Sequence, residues 1–131
     1  MDNVKKKPIA KREEAANAVL AAIAGTGRQL FFSPANERVA RFYLDEFEQA
    51  WFVDHLTGMQ FAPLTRPWIG CSVGEKGQAL IEALEKFIRK GEQVPFAHLQ
   101  EDWGYGSAMP DLVKQLMKTN VFAKENEHVA A

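Results

Sequence analysis

The sequence has little of the chemistry that marks metal-binding or disulfide-bonded proteins. It contains one cysteine and three histidines, and the histidines are scattered at positions 55, 98 and 128. A single cysteine cannot form an internal disulfide, and no metal-ligand spacing is present. A lone thiol fits a reducing compartment. We therefore expect a cytoplasmic protein that uses neither a metal nor another cofactor.

Long apolar runs and a large excess of one charge are also missing. No run approaches the roughly 18 apolar residues that span a bilayer, and the formal net charge is −1. Three lysines, Lys5 to Lys7, precede an apolar segment, but Glu13 and Glu14 interrupt the basic region and argue against an export signal. We expect no membrane contact. Nucleic acid could be bound only through a local patch such as this basic N-terminal arm.

Nucleotide-binding motifs fail in detail. The glycine-rich stretch 70–77 precedes a predicted helix, yet Glu75 and Gly77 stand on either side of the lysine, where a phosphate-binding loop needs glycine and then serine or threonine. Cys71 lies in the same stretch, and a thiol near a helix N-terminus can become reactive if a base is close. A small enzyme or ligand-binding protein with a site near Cys71 is therefore kept as an alternative.

The chain is long enough for one domain with its own core. It has 131 residues, of which 47% are hydrophobic and 25% are charged, as is ordinary for a globular protein. We expect a flexible basic arm over residues 1–10, a folded domain over 11–122 and a frayed tail over 123–131. Neither an internal repeat nor a low-complexity segment divides it.

Apolar residues at three- and four-residue spacing predict helices near 11–24, 73–90 and 110–118. The first helix presents one apolar face and ends at Gly25, and the second ends at Gly91. Ser72 and Glu75 fit a capping box at the start of the second helix.

Between the first two helices, the region 28–64 alternates in the manner of strands. It predicts an antiparallel meander of about four strands, near 28–33, 38–46, 49–54 and 59–63. A single helix over 33–57 is the rival interpretation, because Ser33 and Pro34 also resemble a helix start. We favour the strands, since their aromatic residues would crowd every side of one helix. The predicted fold class is α+β.

Acidic side chains gather around the predicted turns of the meander. We expect these carboxylates to form a rim at one end of the sheet, and two aromatic residues of the later loop to extend it: Asp45, Glu46, Glu48, Asp54, Trp103 and Tyr105. An acidic edge steers association with a basic partner, and exposed tryptophan and tyrosine are favoured in binding hot spots. This rim is the candidate binding surface.

The sequence favours a protein-binding module, such as an adaptor, inhibitor or regulator, without catalytic activity. The partner is an unidentified protein, and a homodimer is a further expectation. The first predicted strand is an edge with apolar groups on both faces. We expect Phe31 on its outer face to mediate self-association.

Overall fold

The computed structural model describes residues 8–25, 31–55, 57–58, 60–61, 75–100 and 106–124. The helices are α1 (Pro8–Ala24), α2 (Glu75–Lys90) and α3 (Met109–Met117), and two short 3-10 helices cover Phe96–Gln100 and Gly106–Ala108. The strands are β1 (Phe32–Ser33), β2 (Arg38–Val39), β3 (Arg41–Leu44), β4 (Ala50–Val53) and β5 (Gln60–Phe61). The α+β fold class is confirmed, and the helical alternative for 33–57 is excluded because this stretch forms strands.

Helix α1 buries the face that its apolar spacing predicts. Its buried residues are Ala16, Val19, Leu20, Ile23 and Ala24. The helix packs on α2, where the guanidinium of Arg12 donates from Nε to the carbonyl of Ile88 at 2.9 Å and from Nη2 to that of Arg89 at 3.3 Å. These carbonyls lie in the last turn of α2, which lacks intrahelical donors. Arg12 therefore caps α2 from the neighbouring helix.

Helices α2 and α3 follow the predicted stripes. Leu80, Leu84 and Phe87 of α2 are buried, as are Leu112 and Leu116 of α3. Gly91 has φ of 78° and donates its N–H to the carbonyl of Phe87 at 2.8 Å, so it ends α2 in the left-handed conformation that glycine adopts without steric cost. The bounds of both helices agree with the prediction to within two residues.

The strands keep the predicted antiparallel order but divide into two sheets. Strands β1 and β2 form one sheet, and β3, β4 and β5 form the other in that order. Phe42 pairs with Phe52 across β3 and β4, so these two rings face the same side of the sheet. The side chains of both are almost fully buried beneath α1 and α2. The single four-stranded meander is thus replaced by shorter ladders.

A side chain of α1 explains where the ladder stops. The amide of Asn17 accepts from the N–H of Phe42 at 2.7 Å and donates to the carbonyl of Phe42 at 3.0 Å. It thereby takes the two backbone groups that another strand would use. At the break between β2 and β3, Ala40 donates its N–H to the carbonyl of Phe31 at 2.7 Å. At Phe42, the free edge of β3 is therefore occupied by a side chain of helix α1.

The predicted outward orientation of Phe31 is wrong. Its side chain is fully buried, and its ring meets that of Phe52 edge to face with the centroids 6.4 Å apart. Phe31 has φ of 65°, which is uncommon for a bulky residue. The alternation at this strand fixes which residues share a face but leaves open which face is the core. Phe31 belongs to the core and cannot carry an intermolecular contact.

The end of the described chain is held by a small parallel contact. Val94 bridges Phe122, and the backbone of Val94 exchanges hydrogen bonds with Val121 and Ala123, each at 2.9 Å. Val121, Phe122 and Ala123 are all buried. The two 3-10 helices lie in the described part of the segment between α2 and α3. None of the described helices is long and apolar enough to cross a membrane.

Candidate functional site

The turn between β3 and β4 is built around the carboxylate of Asp45. Its Oδ1 accepts hydrogen bonds from the N–H groups of Phe47 at 2.8 Å and Gln49 at 2.9 Å. The backbone of Asp45 also bonds to Gln49 and to Glu48. Aspartate is favoured in turns for this reason, because its short side chain reaches the backbone two residues on. The five-residue turn 45–49 is therefore fixed by its own first residue.

The second oxygen of the same carboxylate reaches a strand. Oδ2 of Asp45 accepts from the indole N–H of Trp51 at 2.9 Å. This hydrogen bond, followed by the one from the backbone of Gln49, lowers the pKa of Asp45 below its ordinary value. Hydrogen bonds that favour the charged form have this effect. Asp45 is thus an ionised structural group whose two oxygens accept hydrogen bonds from the turn and from β4.

At the tip of this turn, Phe47 stands in solvent. Its side chain is 82% exposed, and the neighbouring Glu46 and Glu48 are exposed as well. Glu48 has φ of 61°, the left-handed conformation that lets the chain return into β4. We name residues 46–48 the hairpin tip. It displays one aromatic ring between two carboxylates on a hydrogen-bonded base.

Asp54 does not belong to an acidic rim. It follows β4, whereas Asp45 precedes that strand, so about 13 Å of extended chain separates the two turns. The side chain of Asp54 is also fully buried, which leaves no surface charge to steer a partner. The structure brings together Asp45, Glu46 and Glu48, and the inclusion of Asp54 with them is wrong because consecutive hairpin turns lie at opposite ends of their shared strand.

Asp54 instead organises the turn before β5. Its Oδ2 accepts from the hydroxyl of Thr57 at 2.7 Å, and its carbonyl accepts from the N–H of Gly58 at 2.8 Å. Gly58 has φ of 76°, and apart from the glycine itself and its chain neighbours no atom of the described residues lies within 4 Å of the place where a Cβ would stand. Asp54 therefore joins its turn through both its carboxylate and its carbonyl.

His55 forms a close pair with Asp54 that the sequence did not indicate. Its Nδ1 lies 3.7 Å from Oδ1 of Asp54, and the side chains are 1% and 0% exposed. A carboxylate beside an imidazole is half of many acid–base sites. Here both groups are closed off from solvent, so a substrate has no contact with either one. Among the described residues, no group of three histidine, cysteine or acidic side chains could hold a metal ion.

The outer face of the three-stranded sheet carries Tyr43 and Trp51, which pair directly across β3 and β4. The hydroxyl of Tyr43 donates to Oε1 of Gln60 at 2.6 Å, and the guanidinium of Arg41 lies 5.5 Å from the centre of the Tyr43 ring. Both aromatic residues are partly buried. This face extends from the base of the hairpin tip to β5.

Several predicted residues lie outside the described ranges. They are Trp103, Tyr105, Cys71 and the lysines 5–7. Among the described residues, sequence reasoning missed Phe47, which the predicted strands 38–46 and 49–54 leave in the turn between them. The available signal was its position: it lies between two glutamates, in the short segment that separates two alternating strands.

The chain matches no protein-family model, and no curated protein or solved structure matches it either.

Proposed function

We propose that this domain is a non-catalytic protein-binding module whose binding element is the hairpin tip. The observation that carries the proposal is the 82% exposure of Phe47 on a turn fixed by Asp45. A free phenylalanine side chain contributes nothing to the core, and its burial by a partner is favourable. The turn is already ordered, so binding loses little conformational entropy.

The residues around Phe47 add specificity to this contact. Glu46 and Glu48 are exposed on either side of the ring, and charges at the edge of an apolar contact raise association rates and reject partners of the wrong sign. Such an element suits an adaptor, inhibitor or regulator. We propose that it acts in the cytoplasm, as the single cysteine suggests, and that its partners include a second copy of the chain.

The test is a capture experiment in extract from the native cell, with the protein immobilised at its C-terminal end. Wild type is compared with Phe47→Ala, and Glu92→Ala serves as a control because Glu92 is exposed in the segment after α2, outside the hairpin tip. We expect Phe47→Ala to capture at least about tenfold less partner protein than wild type, which is the effect of removing a binding hot spot. Equal capture by all three proteins would contradict the proposal.

A further inference from the structure

Two large hydrophobic side chains are exposed among the described residues, and their surroundings carry opposite charges. Phe47 is 82% exposed and Val39 is 38% exposed. Phe47 stands between Glu46 and Glu48, whereas Val39 stands between the exposed Arg38 and, two residues on, the exposed Arg41. We name residues 38, 39 and 41 the basic patch. Each surface therefore combines an exposed apolar residue with charges opposite to those of the other surface.

The two surfaces cannot satisfy each other within one molecule. The basic patch consists of β2 and the first residue of β3, and the hairpin tip lies beyond the other end of β3, so the length of β3, about 13 Å, separates them. In a two-fold pair, each surface of one copy meets the other surface of its partner, and the contact forms twice. If the β3 strands of the two copies run antiparallel, the hairpin tip of each copy lies opposite the basic patch of the other.

We propose that the hairpin tip binds the basic patch of a second copy, giving a two-fold homodimer. The inference rests on the proposed function, because it names a partner for the same Phe47. It needs no shared β-ladder, and this is consistent with the cover that Asn17 places over the edge of β3. Phe47 packs on Val39, and the glutamates of the tip lie against Arg38 and Arg41.

The dimer is expected to be weak. Two phenylalanine side chains and their rims bury well under the roughly 1,600 Å² of a standard interface. Glu37 is exposed beside Arg38 and offsets part of the positive charge, and Arg41 also lies over the Tyr43 ring. We therefore expect a dissociation constant on the order of 100 μM that rises with salt, since exposed charges are screened.

The test uses sedimentation of the full chain and two charge-reversed variants. Variant one carries Glu46→Arg and Glu48→Arg, and variant two carries Arg38→Glu and Arg41→Glu. Each alone places like charges at both contacts, so each should be monomeric up to about 1 mM. Mixed in equal amounts, they restore opposite charges at both contacts and should sediment as a heterodimer. Circular dichroism checks that each variant is folded, as expected for exposed positions.

Three outcomes would overturn the inference: a monomeric wild type at about 1 mM, variants that dimerise as well as wild type, or a mixture that stays as monomeric as its parts. Phe47→Ala should weaken the wild-type dimer at high and low salt alike, whereas the charge variants should matter mainly at low salt. A monomeric wild type that still captures a cellular protein through Phe47 would refute the homodimer alone. Capture that ignores Phe47 would refute the proposed function.

Discussion

The two turns that flank β4 begin with the same residue type and end in opposite environments. Asp45 and Asp54 each accept hydrogen bonds within their own turn. The first turn holds Phe47 out in solvent, while the second buries Asp54 and His55. Aspartate therefore sets the local shape of a turn, and packing against the rest of the domain decides whether that turn supports the fold or displays a side chain.

The largest expected effect is at the buried turn. Asp54→Ala removes the acceptor of the Thr57 hydroxyl and takes away the carboxylate beside the buried His55. We expect a loss of about 3 kcal/mol in the free energy of unfolding, measured by urea denaturation. Thr57→Val serves as the control, since it removes one neutral donor and should cost about 1 kcal/mol. An Asp54→Ala protein as stable as wild type would show that this turn is not structural.

The next effect concerns the strand that leads into the exposed turn. Asn17→Ala leaves the N–H and the carbonyl of Phe42 without their side-chain partners, and we expect a loss of about 2 kcal/mol. Asn17→Asp keeps the acceptor and loses the donor, so it should fall between the two proteins. If both variants unfold at the wild-type urea midpoint, the amide of Asn17 does not hold β3.

The buried carboxylate of Glu85, in α2, gives the stability of the domain a pH dependence that can be compared with that of the exposed turn. Burial raises the pKa of Glu85, although Arg89, whose Nε is 2.8 Å away, opposes the shift. A raised folded-state pKa means that the native protein binds the proton more tightly, so wild-type stability falls as pH rises above about 4.5. The free energy of unfolding of Glu85→Gln, relative to that of wild type, should therefore increase between pH 4 and pH 7. The increase should be smaller than the loss expected for Asn17→Ala. A stability difference that is flat with pH would contradict this assignment.

The exposed turn is expected to show the opposite pH dependence of stability. Because hydrogen bonds lower the pKa of Asp45, its ionised form stabilises the turn above its ordinary value of 3.8, and this contribution is lost as pH falls through the lowered value. Asp45→Ala should unfold at a lower urea midpoint than wild type at pH 6, and the gap should close in strong acid. The indole fluorescence of Trp51, which donates to Asp45, should change over the same range.

Some features of this molecule could be predicted from its sequence, and others could not. Helix α1 was predictable because its apolar face repeats at a period that only a helix brings together. The turns were predictable from aspartate and glycine. Burial was not, because Asp54 and Phe31 owe their surroundings to distant residues, and alternation alone does not say which face of a strand meets the core.

The candidate site was reached in part for the same reason. Negative charge identified three candidate residues that do share one turn: Asp45, Glu46 and Glu48. Phe47 was overlooked because apolar residues are assigned to cores by default, although a short hairpin turn has no core to offer them. The buried pair of Asp54 and His55 gave no sequence signal, since both residue types are common in exposed turns.

The smallest expected effect on stability belongs to Phe47. Because the ring is in solvent, Phe47→Ala should change the free energy of unfolding by no more than about 0.5 kcal/mol. The urea midpoint should match that of Glu92→Ala. A loss of more than about 2 kcal/mol would mean that the ring packs into the fold, and the turn would then resemble its buried counterpart.

Photo-crosslinking in the native cell tests most directly whether the hairpin tip is a binding element. A photoreactive phenylalanine analogue is placed at position 47, and a matched protein carries it at the exposed position 92. We predict a discrete crosslinked species from position 47, at twice the mass of the chain if the partner is a second copy, and no such species from position 92. The same faint pattern from both positions would contradict the account, because it would show that the ring of Phe47 meets nothing but solvent.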